Sequence, residues 1–333
     1  MHVEASAPGK MILFGEHSVV YGKLAVVLAI NRRARVIAEK RSDRKIFIDA
    51  DNLGFSGYFE EDSYYPVRGK AWRGRSLAAL NVAARKTMEY LGIEGGANLK
   101  VRSMIPIAVG LGSSAAICVA TVSAVERLYD AGLKQKEISN IAFEGETIIH
   151  GKPSGVDNNV STFAGIMSYD KENGIKRHKI DKDIPFIIGN TRKKRSTKKM
   201  VEKVASLKER TTKEMDKILN SMGMIAESGL DALLEADLGR IGNLMNLNHG
   251  LLSAIGVSTM KLEILCHTSR NNGALGAKLT GAGGGGCMIA LSEEADIPLI
   301  ERAIRRRKSD SYRVSITDRG VESKWIDDEN ADS

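Results

Sequence analysis

Three groups of residues in this chain have the types and spacing to do chemistry. The first is Pro106-Ile-Ala-Val109-Gly110-Leu111-Gly112-Ser113-Ser114-Ala115-Ala116, a glycine turn that leads into a helix opening on two serines. Glycine lets the backbone approach a ligand and adopt positive φ. The first N–H groups of a helix have no internal partner, so an anion fits there, phosphate above all. The same residues also suit a tight strand-to-helix turn capped by serine. Two other phosphate signatures fail. G-x-x-x-x-G-K-[ST] occurs nowhere, and Gly281, Gly283 and Gly286 spell G-x-G-x-x-G only ahead of Cys287-Met-Ile-Ala-Leu291, which reads as a strand. A dinucleotide fold needs a helix there.

The second group is Lys10, Glu16 and His17, polar residues set between apolar strand-like segments. That placement suits ligand contact, or a histidine satisfied within the core. The third is Glu146 and Asp157. Ile138, Ile141, Ala142, Gly145 and Ile149 share one helical face, and Glu146 lies at its edge. A carboxylate there is either an exposed rim residue or one that needs a cation or hydrogen bonds. Asp157 follows Ser154-Gly155, a turn chemistry that also suits a helix cap.

These groups need elements to hold them. Leu99, Val101 and Ile105 alternate with polar residues and predict a strand ahead of the glycine turn. Ala116, Val119, Ala120, Val122 and Val125 predict the helix after it, ending by Gly132. Upstream, the pattern gives a short strand at 3–6, a turn at Pro8-Gly9, a strand at 10–14, strands across 24–50, a loop over 51–75 and a helix over 76–91. Downstream it gives a helix over 135–150, a strand at 165–169, a hairpin turn at Asn173-Gly174 and a strand at 185–188. A basic loop spans 190–196, and one long amphipathic helix runs from Met200 to Met222. Helices over 230–252 and 260–269 follow, then a hairpin around the glycines 281–286, a helix over 298–308 and a strand at 312–316. The acidic residues 325–333 read as loose. The domains expected are 1–180 and 181–323, with a polar tail at 324–333.

Composition bounds the function. A length of 333 residues is enough for two domains or one large one, and 43% hydrophobic content allows a full core. No apolar run approaches the ~20 residues that span a bilayer, and the first residues lack the layout of a signal peptide. Cys118, Cys266 and Cys287 are odd in number and far apart, which suggests reduced thiols in a cytosol and no metal-binding pattern. The net charge of +8 is concentrated in Arg192-Lys-Lys-Arg195 with Lys198-Lys199, and in Arg305-Arg-Arg-Lys308. Such runs are solvated faces, a nucleic-acid patch, or a field that attracts small anions. Aromatics are only 5% and none interleaves with the runs, which weighs against nucleic acid.

Together, Ala7-Pro-Gly-Lys10-Met-Ile-Leu-Phe-Gly-Glu16-His17-Ser18-Val-Val-Tyr21-Gly22, Gly110-Leu-Gly-Ser-Ser-Ala-Ala116 and Lys278-Leu-Thr-Gly-Ala-Gly-Gly-Gly-Gly-Cys287, in this order, resemble the GHMP kinases, a family of small-molecule kinases. Within it, Glu16 to Gly22 and His150-Gly-Lys-Pro-Ser154-Gly155-Val-Asp157-Asn158 are most similar to the mevalonate kinase branch, of archaeal or bacterial length. The resemblance implies an N-terminal α/β domain of a kind shared with a ribosomal protein, and a C-terminal ferredoxin-like α+β domain, with the active site between them. It implies ATP-dependent phosphorylation of an alcohol, mevalonate to mevalonate 5-phosphate, for isoprenoid precursors in the cytoplasm. Pro106, Ala108, Val109, Gly110, Leu111, Gly112, Ser113, Ser114 and Ala115 would cradle the ATP phosphates, and Ser114 with Glu146 would hold Mg²⁺. Asp157 matches the catalytic aspartate and Lys10 the lysine beside it. Glu16 and His17 match substrate-pocket positions, Arg195 and Thr197 a segment closing over mevalonate, and Lys278 to Gly286 a stretch packed on the phosphate loop. Ala108 stands where the family has its first loop glycine. The resemblance implies no specific nucleic acid and no membrane partner, and it is compatible with a homodimer. The rivals are another GHMP kinase, for phosphomevalonate or a sugar, and more remotely a basic nucleic-acid-binding module. A phosphomevalonate pocket should add cations for the second phosphate.

Overall fold

The computed structural model describes residues 1–331 apart from 51–53, 107–108, 151–153, 181 and 195. The first half builds β1 (His2–Phe14), β2 (Ala25–Arg41), β3 (Ile46–Ala50), β4 (Phe55–Glu60), β5 (Ser63–Arg68), α1 (Ala78–Tyr90), β6 (Gly96–Ser103), α2 (Ser113–Leu128), α3 (Gln135–His150), α4 (Val156–Phe163), β7 (Ile166–Asp170) and β8 (Gly174–His178). The second half builds β9 (Pro185–Asn190), α5 (Thr197–Arg210), α6 (Thr212–Glu235), α7 (Leu238–Ala254), α8 (Met260–Arg270), β10 (Gly276–Thr280), β11 (Cys287–Leu291), α9 (Ile297–Arg306) and β12 (Asp310–Ser315), then β13 (Glu322–Ile326) and α10 (Asp328–Ala331).

One sheet has the order β13-β1-β2-β6-β3-β4-β5, with β7 on β2 and β8 on β7; the second is antiparallel in the order β10-β11-β9-β12. In the first sheet Val3, Ala5 and Ala7 of β1 and Ala34, Val36 and Ala38 of β2 point inward, the period-2 pattern of a sheet covered on one face. What covers it is chiefly α2, whose residues Ala115, Ala116, Val119, Ala120 and Ala124 are all buried. Small side chains let that helix sink between the sheet and its neighbours α1, α3 and α4. In the second sheet β9, β10 and β11 are buried on both faces, and β12 at the edge is partly exposed. Phe186 and Ile188 of β9 join the core of the first sheet, and Ile187 joins a second cluster with Leu219, Leu265 and Ile300 from the helices. The larger cluster thus draws residues from both halves of the chain.

Four expectations change. Pro8-Gly9 is not a turn: β1 runs through it with a register shift between Pro8 and Gly9, the kind of irregularity at which a strand tolerates proline. The stretch 51–75, expected as loop, carries the β4–β5 hairpin. Its aromatics pair across strands, Phe59 with Tyr64 at 5.0 Å between ring centroids, and this outweighs the scattered glycines. The long helix over 200–222 breaks at Thr211, between α5 and α6. The tail expected to be loose over 325–333 is ordered at its start: β13 (Glu322–Ile326) pairs with β1 from His2↔Ile326 to Ser6↔Glu322, covering an edge that would otherwise lie open. The chain thus returns to its first sheet at its end.

Candidate active site

The site is assembled on β1 and on the first turns of α2 and α4. Just past the shift at Pro8, the Lys10 N–H donates to the carbonyl of Leu111 at 2.9 Å, which pins the glycine turn to β1. Gly112 takes φ of 71° and is the residue before α2. A Cβ on it would lie 2.6 Å from Cγ of Lys10, so the Lys10 stem crosses where only glycine leaves room. Lys10 is thereby held straight, with its side chain 7% exposed, and its ammonium meets Oδ1 of Asp157 at 3.0 Å.

Asp157 sits in the first turn of α4, behind Gly155 in the left-handed region, and Gly155 brings no side-chain cap. Its carboxylate faces Lys10 because the other faces of α4 are committed. Val156 and Val160 are buried against Val27 and Met167, and the Asn158 amide donates to the Ser139 carbonyl at 2.9 Å and hydroxyl at 2.8 Å, docking α4 on α3. Asp157 keeps 38% of its side-chain surface exposed. A buried cation thus presents an accessible carboxylate beside the start of α2.

Glu146 is 2% exposed, so it is no rim residue. The Ser114 hydroxyl donates to its Oε1 at 2.5 Å. Burial first, and then the nearby Glu146 charge, push the Cys118 thiol well above its ordinary value. Two oxygen donors beside the first turn of α2 are the hard-donor set that suits Mg²⁺, which usually takes one or two protein ligands with the rest from phosphates and water. Among the described residues no group of three or more His, Cys, Asp and Glu could hold a metal by itself.

Of the cradle residues, Val109, Leu111 and Ala115 are buried while Gly110, Ser113 and Ser114 are partly open, as a turn facing a ligand requires. Pro106 is half-buried, and Ala108 lies outside the described residues. Arg195 also lies outside them; Thr197, the first residue of α5, is exposed. His17 follows β1 with φ of 62° and ψ of −44°, a conformation that is uncommon for any residue but glycine and clusters at functional sites. Its Nε2 lies 2.9 Å from the Ala282 carbonyl. Glu16 does not open onto solvent at all. Lys278 and Asn248 engage its two carboxylate oxygens, the latter at 3.2 Å, and it is buried with Lys278. Sequence reasoning gave Asn248 no role. A lysine amid the apolar strand Gly276-Ala-Lys-Leu-Thr280 was the signal that a buried acid waits elsewhere.

Comparison with known proteins agrees in both halves. Residues 78–165 match the GHMP kinases N terminal domain, and residues 230–310 match GHMP kinases C terminal. The chain is 41% identical over 302 residues to the mevalonate kinase of Thermococcus sibiricus, an alignment covering 88% of this chain and 90% of the relative. Among solved structures, the Methanococcus jannaschii mevalonate kinase superposes with a TM-score of 0.84 at 29% identity, covering 95% of this chain and 99% of that one. The L. major mevalonate kinase in complex with R-mevalonate gives 0.81 at 28% identity, covering 94% and 95%.

Proposed function

Because the chain belongs to the GHMP kinases, and among them groups with the mevalonate kinases, we propose that it transfers the γ-phosphoryl group of ATP to the primary hydroxyl of mevalonate, giving mevalonate 5-phosphate and ADP. The observation that carries the reading is the Lys10–Asp157 pair at 3.0 Å, set beside the glycine turn by the same stem that Gly112 accommodates. Phosphoryl transfer asks a protein mainly for positioning and charge neutralisation. The turn Val109–Gly112 and the first N–H groups of α2 receive the phosphates. Asp157 orients the acceptor hydroxyl and takes its proton, and Lys10 stabilises the charge that develops between that oxygen and the phosphorus. Ser114 and Glu146 would hold Mg²⁺, which when bound neutralises charge on the phosphate oxygens. His17 borders the acceptor pocket. Arg195, by its place in the sequence, clamps the mevalonate carboxylate in bidentate fashion, with Thr197 beside it.

No described helix is long and apolar enough to cross a membrane, and we place the reaction in the cytoplasm. The deciding experiment is a coupled ADP-release assay over a panel of mevalonate, phosphomevalonate, galactose and homoserine. We expect mevalonate to exceed the others by roughly 100-fold or more in kcat/KM, the discrimination of a site built to pair a substrate's polar groups. Preference for any other alcohol would overturn the assignment. Arg195→Ala should raise the KM for mevalonate well above that for ATP; equal effects would reduce the basic run to a general field.

A further inference from the structure

Glu16, placed by sequence among the substrate residues, is fully buried with both carboxylate oxygens engaged by the protein. Its Oε1 takes Lys278 and its Oε2 takes Asn248, and the Glu16 and Lys278 side chains are both 0% exposed. The Lys278 ammonium also donates to the Leu279 carbonyl at 2.8 Å. Two residues further along, the Thr280 hydroxyl accepts from the Ile12 N–H at 3.1 Å and donates to the Ile12 carbonyl at 2.8 Å. Two further again, the Ala282 carbonyl meets Nε2 of His17. Residues 278, 280 and 282, alternate positions of β10 and its turn, are thus tied to 16, 12 and 17, the end of β1 and the corner that follows it. Burial raises the carboxyl of Glu16 and lowers the ammonium of Lys278, each partly held back by its partner. A fully buried ion pair gives little stability over an apolar pair of equal volume. Its distinct property is directional. A shift of β10 relative to the corner after β1 would leave two charges unpaired in a dry interior, so the pair admits one seating of β10 against that corner.

Resting on the phosphotransfer reading, we propose that Lys278, through Glu16 and Asn248, is a positioning residue that fixes the seat of β10 against the corner after β1 and so aims the strained His17 at the acceptor pocket. Glu16 belongs to this strut and does not touch the substrate.

Five variants test it: Lys278→Met, Glu16→Gln, the Glu16→Gln/Lys278→Met double, His17→Ala, and His17→Ala/Lys278→Met. Each is assayed well below its melting temperature. Lys278→Met should raise the KM for mevalonate about tenfold and leave the KM for ATP within about threefold, and His17→Ala should do the same. If Lys278 acts through His17, their double variant should be no more than about twofold worse than the worse single. Glu16→Gln/Lys278→Met has no lone buried charge and should melt above Lys278→Met, yet keep the raised KM. Hydrogen exchange should be faster across residues 12–20 in Lys278→Met than in the wild type, a readout independent of turnover. Multiplicative losses in the His17 double, a charge-free double with wild-type KM, or unchanged exchange across 12–20 would each overturn the strut. Failure of the functional reading looks different: the wild type itself would then not phosphorylate mevalonate, while the exchange experiment would still decide whether Lys278 holds the 12–20 segment.

Discussion

Two glycine-rich turns are tied to β1 and to the residues just after it, and they are built for different work. The turn at 110–112 runs into α2, so its glycines open onto the first helix N–H groups, and the N-cap Gly112 brings no side-chain cap to them. The turn at 281–286 joins two antiparallel strands paired from Thr280↔Cys287. Part of its backbone is engaged within the fold: the Gly284 N–H donates to the Val257 carbonyl at 2.8 Å and the Gly286 N–H to that of Lys193 at 2.9 Å, while the Gly286 carbonyl accepts from Thr191. The richer glycine cluster thus has N–H groups committed to neighbouring segments, whereas the turn before α2 adds the unpaired donors and the dipole of a helix start, the stronger attraction for an anion.

The comparison breaks most sharply at the chemistry. If the α2 turn is where phosphate is handled, the residues beside it should govern kcat with little effect on stability. Asp157→Asn should lower kcat by about 10²–10⁴, the range for a general acid–base group, with ATP binding and melting temperature nearly unchanged. Lys10→Met should act on the same step. Since the two side chains meet at 3.0 Å, their double variant should be little worse than the worse single. Were Asp157 only a helix cap, its loss would cost about 1 kcal/mol of stability and leave kcat near normal. That outcome would remove the catalytic assignment.

The parts of this site that could be read from sequence are those whose cause is local. The strand, turn and helix around residue 110 follow from alternation, glycine and a 3.6-residue period, and α3 has the limits expected, Gln135–His150. Glu146 stood at the edge of an apolar face, open to reading as an exposed rim residue or as a carboxylate in need of partners, and its burial against Ser114 decides for the second. The functional roles drew on resemblance as well as on residues. What local pattern could not carry is pairing over distance. Glu16 meets Asn248 and Lys278, 232 and 262 residues away in the chain, and no feature near Glu16 tells an acid facing substrate from one facing a distant lysine. The same blindness hid β13, whose partner β1 lies at the opposite end of the sequence.

Substituting one glycine in each turn sharpens the contrast. Gly112→Ala puts a methyl group into the Lys10 stem in a backbone conformation costing an L-residue roughly 1–2 kcal/mol. Displacing Lys10 should lower kcat by about 10²-fold, since misplacement by 1 Å can cost that much. Gly283→Ala carries similar backbone strain, and its Cβ would lie 2.2 Å from the Val257 carbonyl. It should lower the melting temperature as much or more while leaving the KM for ATP within about threefold. If both variants raised the KM for ATP alike, the two turns would share the phosphate.

Glu146→Gln has a smaller, more selective effect. The amide still accepts from the Ser114 hydroxyl, so the fold should persist, but the charge is gone. Titrating activity against Mg²⁺ should show an apparent affinity weakened about tenfold, near the low end of what metal-site substitutions cost. An unchanged Mg²⁺ dependence would reduce Glu146 to a packing residue.

The smallest effect belongs to the C-terminal side and depends on pH. Nδ1 of His249 accepts from the Leu279 N–H at 3.3 Å, which leaves the proton on Nε2 facing Glu263, also at 3.3 Å. Burial lowers the affinity of this ring for a second proton, and Lys278 and Arg270 add to that, against the opposing pull of Glu263. A proton on Nδ1 would set two donors against each other and loosen β10 beside Lys278. In the unfolded chain His249 titrates at the ordinary histidine value, about 6.5. Between that value and the lower folded one, the unfolded state binds more protons, so stability rises with pH and falls on acidification below about 6.5. The wild type should lose roughly 1–3 °C more in melting temperature between pH 7.5 and 5.5 than His249→Asn, whose side-chain oxygen can accept the same bond without titrating. Equal acid sensitivity in the two proteins would mean that the turn at 281–286 is held without help from His249, and that the fall in stability comes from other groups.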